Sequence, residues 1–438
     1  MQTEFYDGKL RDCPCGKEHI FPLKEIYSGK GVIARLSDVL SRYGIKKPFV
    51  LADENTYAAA GNTVAEILNG NGTPFSAYIF KGIVEPDENS IQTATQAFDD
   101  SCDAVIGVGS GVINDLGKIV ASEKNRFYII VATAPSMDGY ASATSSMAVK
   151  GLKISLKSKC PDVIIGDTDV LKNAPLKMFK AGLGDMLAKY VSITEWRLSH
   201  EINGEYYCEN VAETVRRARG KCVKNAAGLL ARDEKAVKAV FDGLIASGIA
   251  MAYAGISRPA AGTEHYISHI IDMRGLQFKE KTELHGIQCA VATLLCAKLY
   301  GKLKGVSISE ERGDRETRAF DKAEWESGLR EFLGAAAEPV IELEQKENKY
   351  DPERSAARRK TIIMKRKILD GIIEQELPSA EKISEILSAA GITQTFKEMG
   401  INIDLKKAFA ATKDIRDKYV LASLLWDAGF LGEFCAAL

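Results

Sequence analysis

The stretch GTEHYISH, residues 262–269, packs a carboxylate and two of the chain's five histidines, His265 and His269, into eight positions. A third histidine, His285, follows in LHGIQ at the start of another apolar stretch. On a helix His265 and His269 are four apart and share a face. The segment GLGDM sets Asp185 among apolar residues, where an ionised carboxylate needs a partner. One carboxylate with two or three imidazoles suits Zn, Fe, Ni or Co, and open coordination positions make such a site catalytic. Taken singly, each histidine reads as an ordinary core or surface residue. The clustering of three in a histidine-poor chain is what favours a shared site.

A second group of residues points to an anion. GVGSGVINDLGK (107–118) joins an apolar run to a helical pattern. Small residues at such a turn let backbone N–H groups approach a phosphate, and the helix start adds partial positive charge. The turn is neither a standard dinucleotide fingerprint nor a Walker loop. Glycine-rich turns also serve packing, so the pattern alone does not decide. Asp53 ends the apolar run PFVLAD. An acid at such a strand tip can accept both ribose hydroxyls of an adenosine, or simply close a turn. Near the start of the chain, Cys13, Cys15 and His19 match no common zinc spacing, and no second ligand pair follows. They read as an exposed turn built on Pro14 and Gly16.

These residues need elements to hold them. Apolar runs at 48–53, 75–80, 103–111, 127–136 and 162–171 alternate with helical patterns at 56–70, 89–101 and 112–124. Buried runs separated by helices predict a parallel sheet covered on both faces. From about Pro175 onward helical spacing dominates. The expected fold is therefore an α/β N-terminal domain with a parallel, Rossmann-like sheet (1–172), followed by an all-α helical bundle domain (173–438). The charged residues 305–382 read as solvated helix faces, and DKYVLASLLWDAGFLGEF as an apolar helix docked on the bundle.

Composition bounds the rest. The chain has 438 residues, 46% hydrophobic and 27% charged, with a formal charge of −1. That balance provides no global field for nucleic acid or an anionic membrane, so neither is expected as a partner. No apolar run looks long enough to span a bilayer and no export signal is visible. Nine cysteines in such a chain then read as reduced thiols, and the expected location is the cytoplasm.

Together GVGSGVINDLGK, TAPSMDGYAS, GLGDMLAK, GTEHYISH and LHGIQ resemble the glycerol-1-phosphate dehydrogenases, in particular their bacterial branch. These belong to the superfamily of glycerol dehydrogenase, iron-type alcohol dehydrogenases and dehydroquinate synthase. The motifs run in the family's order from about residue 50 to 290, and PSMDG is the feature that separates this family from plain glycerol dehydrogenases. The resemblance implies NAD(H) or NADP(H), one divalent metal (nickel, zinc or iron), a small phosphorylated substrate and a place in phospholipid metabolism. A homo-oligomer, dimer or larger, is expected. It also implies roles: Asp185, His265 and His285 as metal ligands; His269 and Asp138 beside the substrate, with catalytic parts; Gly109, Ser110, Gly111, Asn114 and Asp115 at the cofactor diphosphate; and Thr133, Ser136 and Ser142 at the nicotinamide side. Two departures stand out, GVGSG in place of three consecutive glycines and Met137 after Ser136. Lys153, Arg274 and Lys279 are candidates for the substrate phosphate by position only. The rival readings are a polyol dehydrogenase, a dehydroquinate-synthase-like cyclising lyase, and a binding protein that kept the fold.

Overall fold

The computed structural model describes residue 10, residues 12–149 and residues 152–438. Its contacts divide the chain into two compact units. One contains the described residues up to Met186 together with Glu209–Ile256; the other contains Leu187–Cys208 and Ser257–Leu438. The helices at 209–256 belong to the same compact unit as the sheet.

The first unit is built on β1 (Glu25–Gly29), β2 (Pro48–Asp53), β3 (Ser76–Phe80), β4 (Ala104–Gly109) and β5 (Phe127–Ala132). A hairpin of β6 (Thr144–Val149) and β7 (Leu152–Lys157) precedes β8 (Val163–Asp167). The six-stranded sheet has the order β1-β8-β5-β4-β2-β3 and every pairing in it is parallel. One face packs on α1 (Arg35–Arg42) and α2 (Asn62–Gly70) through Leu36, Val39, Leu40, Val64 and Leu68, against Val50, Ile106, Val108, Val131 and Ile165. Strands buried on both faces have no solvated side to mark with polar residues, which is why they read as unbroken apolar runs. The predicted strands fall on β2, β3, β4, β5 and β8. The hairpin and β1 carry no comparable run.

Chain order reverses between β2 and β4: β3 lies on one side of β2 and β4 on the other. Ala52 pairs with Val108 and Gly109 with Ala132, so Asp53, Gly109 and Thr133 reach the same carboxyl edge. A crevice at such a switch point is where open parallel sheets bind ligands. After β4 comes α3 (Gly111–Glu123), and after β8 come α4 (Leu176–Leu187), α5 (Lys189–Asn203), α6 (Glu209–Asn225) and α7 (Glu234–Ala254). The last of these is long and apolar enough to cross a membrane by length and composition, which the sequence alone did not suggest. Here 72% of its most apolar window is buried, and Phe241 fills the space left by Gly166 of β8, so it serves as a core helix.

The second unit is helical. It includes α8 (Thr263–Phe278), α9 (His285–Leu303), α10 (Glu310–Arg318), α11 (Pro352–Met364) and α12 (Leu421–Ala428). The charged stretch is only partly a solvated face. Arg359 is 1% exposed and donates to the Asp427 carbonyl at 2.6 Å and to Asp314. A Cβ at Gly313 would overlap the Arg359 guanidinium, so the glycine leaves the room that this side chain fills. Asp427, on α12, is fully buried and accepts from Ser355 Oγ at 2.7 Å, Arg358 Nε at 2.6 Å and Tyr419 Oη at 2.8 Å. A buried carboxylate so engaged fixes α12 in one place, as removing one partner leaves the other charge uncompensated. Asp427→Ala should cost about 3–5 kcal/mol by that argument, read as a lower urea midpoint with unchanged slope.

Candidate functional site

Each compact unit presents its own set of side chains. In the first, β4 delivers the chain into the glycine turn. Gly109 needs its missing Cβ, which would sit 2.5 Å from Ile113 Cβ. Ser110 precedes α3 and its side chain makes no capping hydrogen bond, so the first N–H groups of α3 remain suited to an anion. Asp53 ends β2 and accepts the Thr56 N–H through Oδ1 at 2.9 Å, capping a short turn. The plain turn role and the ribose role are compatible, since the second carboxylate oxygen is not used by that cap.

Lys118 is the residue that sequence reasoning passed over. It is fully buried on α3 and pairs with Asp115 at 2.7 Å. It also donates to the carbonyls of Gly139 at 3.2 Å and Thr144 at 2.5 Å, and to Ser142 Oγ at 3.2 Å. Asn114, also buried, donates to the same Gly139 carbonyl at 3.2 Å. Asp115 accepts the Ser146 N–H at 3.0 Å. Asn114, Asp115 and Ser142 thus tie the TAPSMDGYAS segment and the hairpin to α3. Thr133 donates its N–H to the Gly109 carbonyl at 3.0 Å, and Ser136 its N–H to the Ala134 carbonyl at 3.1 Å. Met137 supplies Sδ to the Gly139 N–H at 2.9 Å, so the departure at this position puts a thioether on the loop's own backbone.

That loop ends at the acids. Asp185, 1% exposed on α4, accepts the Asp138 N–H at 2.9 Å, and Asp138 accepts from Ser247 Oγ of α7 at 2.9 Å. The approach depends on Gly182, where a Cβ would run into the Pro135 carbonyl oxygen. Gly182 lies three residues before Asp185 and shares its helix face. Gly182→Ala should cost about 1–3 kcal/mol, the range for overpacking a tight contact. An unchanged denaturation midpoint would show that α4 can back away without loss.

In the second unit His265 lies in the first turn of α8 and His285 opens α9. Their ring centroids are 5.0 Å apart, and one ligand atom from each lies with Cys289 Sγ inside a 4.8 Å group. Cys289 was missed, although it stands one helical turn after His285 and the i, i+4 rule could have found it. His265 Nδ1 is 2.7 Å from Glu264 Oε1, and His285 Nδ1 is 2.7 Å from Ser268 Oγ. Both contacts favour Nε2 as the ring nitrogen left for a metal. The His269 ring stacks on His285 at 5.4 Å between centroids. Arg274 is occupied by Glu280 at 2.8 Å and by the Phe332 carbonyl, and Lys279 holds a left-handed turn with φ 59°.

Behind the histidines lies a buried acid pair. Glu195 of α5 accepts the Thr263 N–H at 2.9 Å, Thr263 Oγ at 2.6 Å and the Leu421 N–H at 2.9 Å. Burial first, then the nearby Glu264 charge, pushes the Glu195 carboxyl well above its ordinary range. Glu264 is fully buried and accepts the Gly262 N–H at 2.9 Å.

Comparison with known proteins fits this architecture. Residues 27–175 match the family described as iron-containing alcohol dehydrogenase. Glycerol dehydrogenase from Schizosaccharomyces pombe shares the fold over 96% of this chain and 92% of its own, with a TM-score of 0.62 at 16% identity. The particular family follows from sequence. Glycerol-1-phosphate dehydrogenase [NAD(P)+] of Halalkalibacterium halodurans is 34% identical over 66% of this chain and 74% of its own length. The protein of that name from Thermococcus kodakarensis is 31% identical over 84% of this chain and 99% of its own. The chain belongs to the glycerol-1-phosphate dehydrogenase family of oxidoreductases.

Proposed function

We propose that the protein interconverts sn-glycerol 1-phosphate and dihydroxyacetone phosphate, with NAD(H) or NADP(H) and one divalent metal, in the cytoplasm. Beyond family membership, one observation supports this reading most: His265 and His285 bring ligand atoms together while Glu264 holds the His265 ring. The donor set fits a divalent ion, and Asp185 adds the carboxylate. Asp185, His265 and His285 would hold it. When bound, the ion would supply Lewis acidity for the alcohol–ketone interconversion and the nicotinamide would supply the hydride donor or acceptor.

The chain's own residues do the rest. Glu264 and Ser268 fix the imidazole orientations. Asp138, held by Ser247, orients a substrate hydroxyl. On alcohol oxidation the hydroxyl proton leaves through His269 or water, and on reduction it returns by the same route. The glycine turn takes the cofactor diphosphate, and Asp53 accepts its ribose hydroxyls, which disfavours a 2′-phosphate. Oxidation of NADH by dihydroxyacetone phosphate, after loading with nickel, zinc or iron, tests the reading. Reaction with unphosphorylated dihydroxyacetone alone would point to a polyol dehydrogenase, and product formation without net NADH use to a cyclising lyase.

Asp185→Asn, His265→Ala and His285→Ala should each lose the metal and nearly all turnover. Cys289→Ser should keep the metal, since the third ligand is Asp185; emptying of the site in that variant would transfer the role to Cys289. His269→Ala should keep the metal and slow hydride transfer by about 10²–10⁴-fold, the usual cost of removing a proton-transfer group. Metal analysis and single-turnover kinetics on the same preparations check all five.

Asp53→Ser keeps an acceptor for the Thr56 N–H but removes the charge. It should narrow the preference for NADH over NADPH in kcat/KM. An unchanged ratio would place adenosine recognition elsewhere.

A further inference from the structure

The turn at Pro14 and Gly16 is exposed as its spacing suggests, but Cys13, Cys15 and His19 gather their ligand atoms beside it. Cys13 is 8% exposed, and one ligand atom from each of the three lies within 4.8 Å of the others. The Cys13 carbonyl accepts the Gly16 N–H at 3.0 Å, and Gly16 has φ 75°, so a tight turn directs both cysteines to one point. Cys15 Sγ lies 3.3 Å from His19 Nε2. The other ring nitrogen, Nδ1, lies 2.9 Å from the Tyr253 carbonyl of α7. That contact places the proton on Nδ1 and the lone pair on Nε2, toward the thiols. Asn210, the second residue of α6, donates to Cys13 Sγ at 3.2 Å, as amide groups do around metal thiolates.

Asn210 also fixes where a fourth ligand comes from. Cys208 is peptide-bonded to Glu209, the first residue of α6, and is 1% exposed. Successive Cα atoms are about 3.8 Å apart, so the Cys208 thiol is held within reach of Cys13 by the same helix start. The missing second ligand pair is thus made by chain folding: one partner four residues on, the other nearly two hundred residues away.

We propose that Cys13, Cys15, His19 and Cys208 bind a structural zinc ion, separate from the metal of the proposed active site. Three thiolates and one imidazole form a closed tetrahedral set that suits Zn and leaves no position for substrate. The ion would clip the N-terminal segment to the start of α6 and to α7. Binding would release thiol protons and add its own free energy to folding.

The test uses the full chain purified without chelator. The double variant His265→Ala/His285→Ala should still carry one equivalent of zinc, with sulfur in its first shell at about 2.3 Å by X-ray absorption. Cys15→Ser and His19→Gln should each lose that equivalent and unfold at lower temperature, while nickel added at the active site stays bound. If these variants do not fold, a mercurial reagent on the wild-type chain replaces them, and zinc release in step with thiol modification is expected. Folded double variant without zinc, or zinc with only nitrogen and oxygen neighbours, would overturn the clip. A double variant that keeps a second metal would instead sink the active-site assignment and leave the clip standing.

Discussion

Two carboxylates buried at the start of α8 set the terms for the helical unit. Glu264 and Glu195 are withdrawn from water, and a buried charge is tolerated only where donors and partners surround it. The donors come from far apart in sequence: Gly262 and Thr263 at the start of the histidine helix, and Leu421 at the start of α12. Tyr300 of α9 adds its hydroxyl to Glu195 at 3.3 Å. Satisfying Glu195 therefore fixes α5, α8, α9 and α12 together. The position of His265 follows from that constraint, because the same Glu264 oxygen that accepts the Gly262 N–H holds the His265 ring.

The sheet unit solves a similar problem with a cation. Lys118 has no exposed surface, and its charge is offset by Asp115 while its remaining protons go to carbonyls of the loop and hairpin. The loop that carries Asp138 is thus tied to the helix that begins at the glycine turn. Two further glycines serve this packing: a Cβ at Gly107 or at Gly117 would stand 2.5 Å from the Tyr128 hydroxyl. That hydroxyl reaches the Asn114 carbonyl at 3.2 Å. Glycines in GVGSGVINDLGK thus serve both backbone approach at the turn and clearance for an aromatic ring, and the two purposes look alike in sequence.

Much of the fold was legible. Buried parallel strands announce themselves as apolar runs because neither face is wet, and the helices between them keep their 3.6-residue period. The strands that escaped, β1 and the β6–β7 hairpin, have mixed composition and partial exposure, so neither period stands out. The charged region misled for another reason. Arg358 and Arg359 are inside because Asp427 and Asp314 meet them there, and a partner seventy residues away leaves no local mark.

The sequence by itself determined the strand–helix alternation, the glycine turn, the acid at a strand tip and the density of histidines around 262–285. All of these are local patterns, set by periodicity and residue type. Only the tertiary structure decided which buried charges meet, that Cys289 lies beside His285 with a ligand atom to offer, and that Cys13 and Cys15 face inward beside the start of α6. Those outcomes depend on the burial cost of polar groups, which is defined only once distant segments have closed around them.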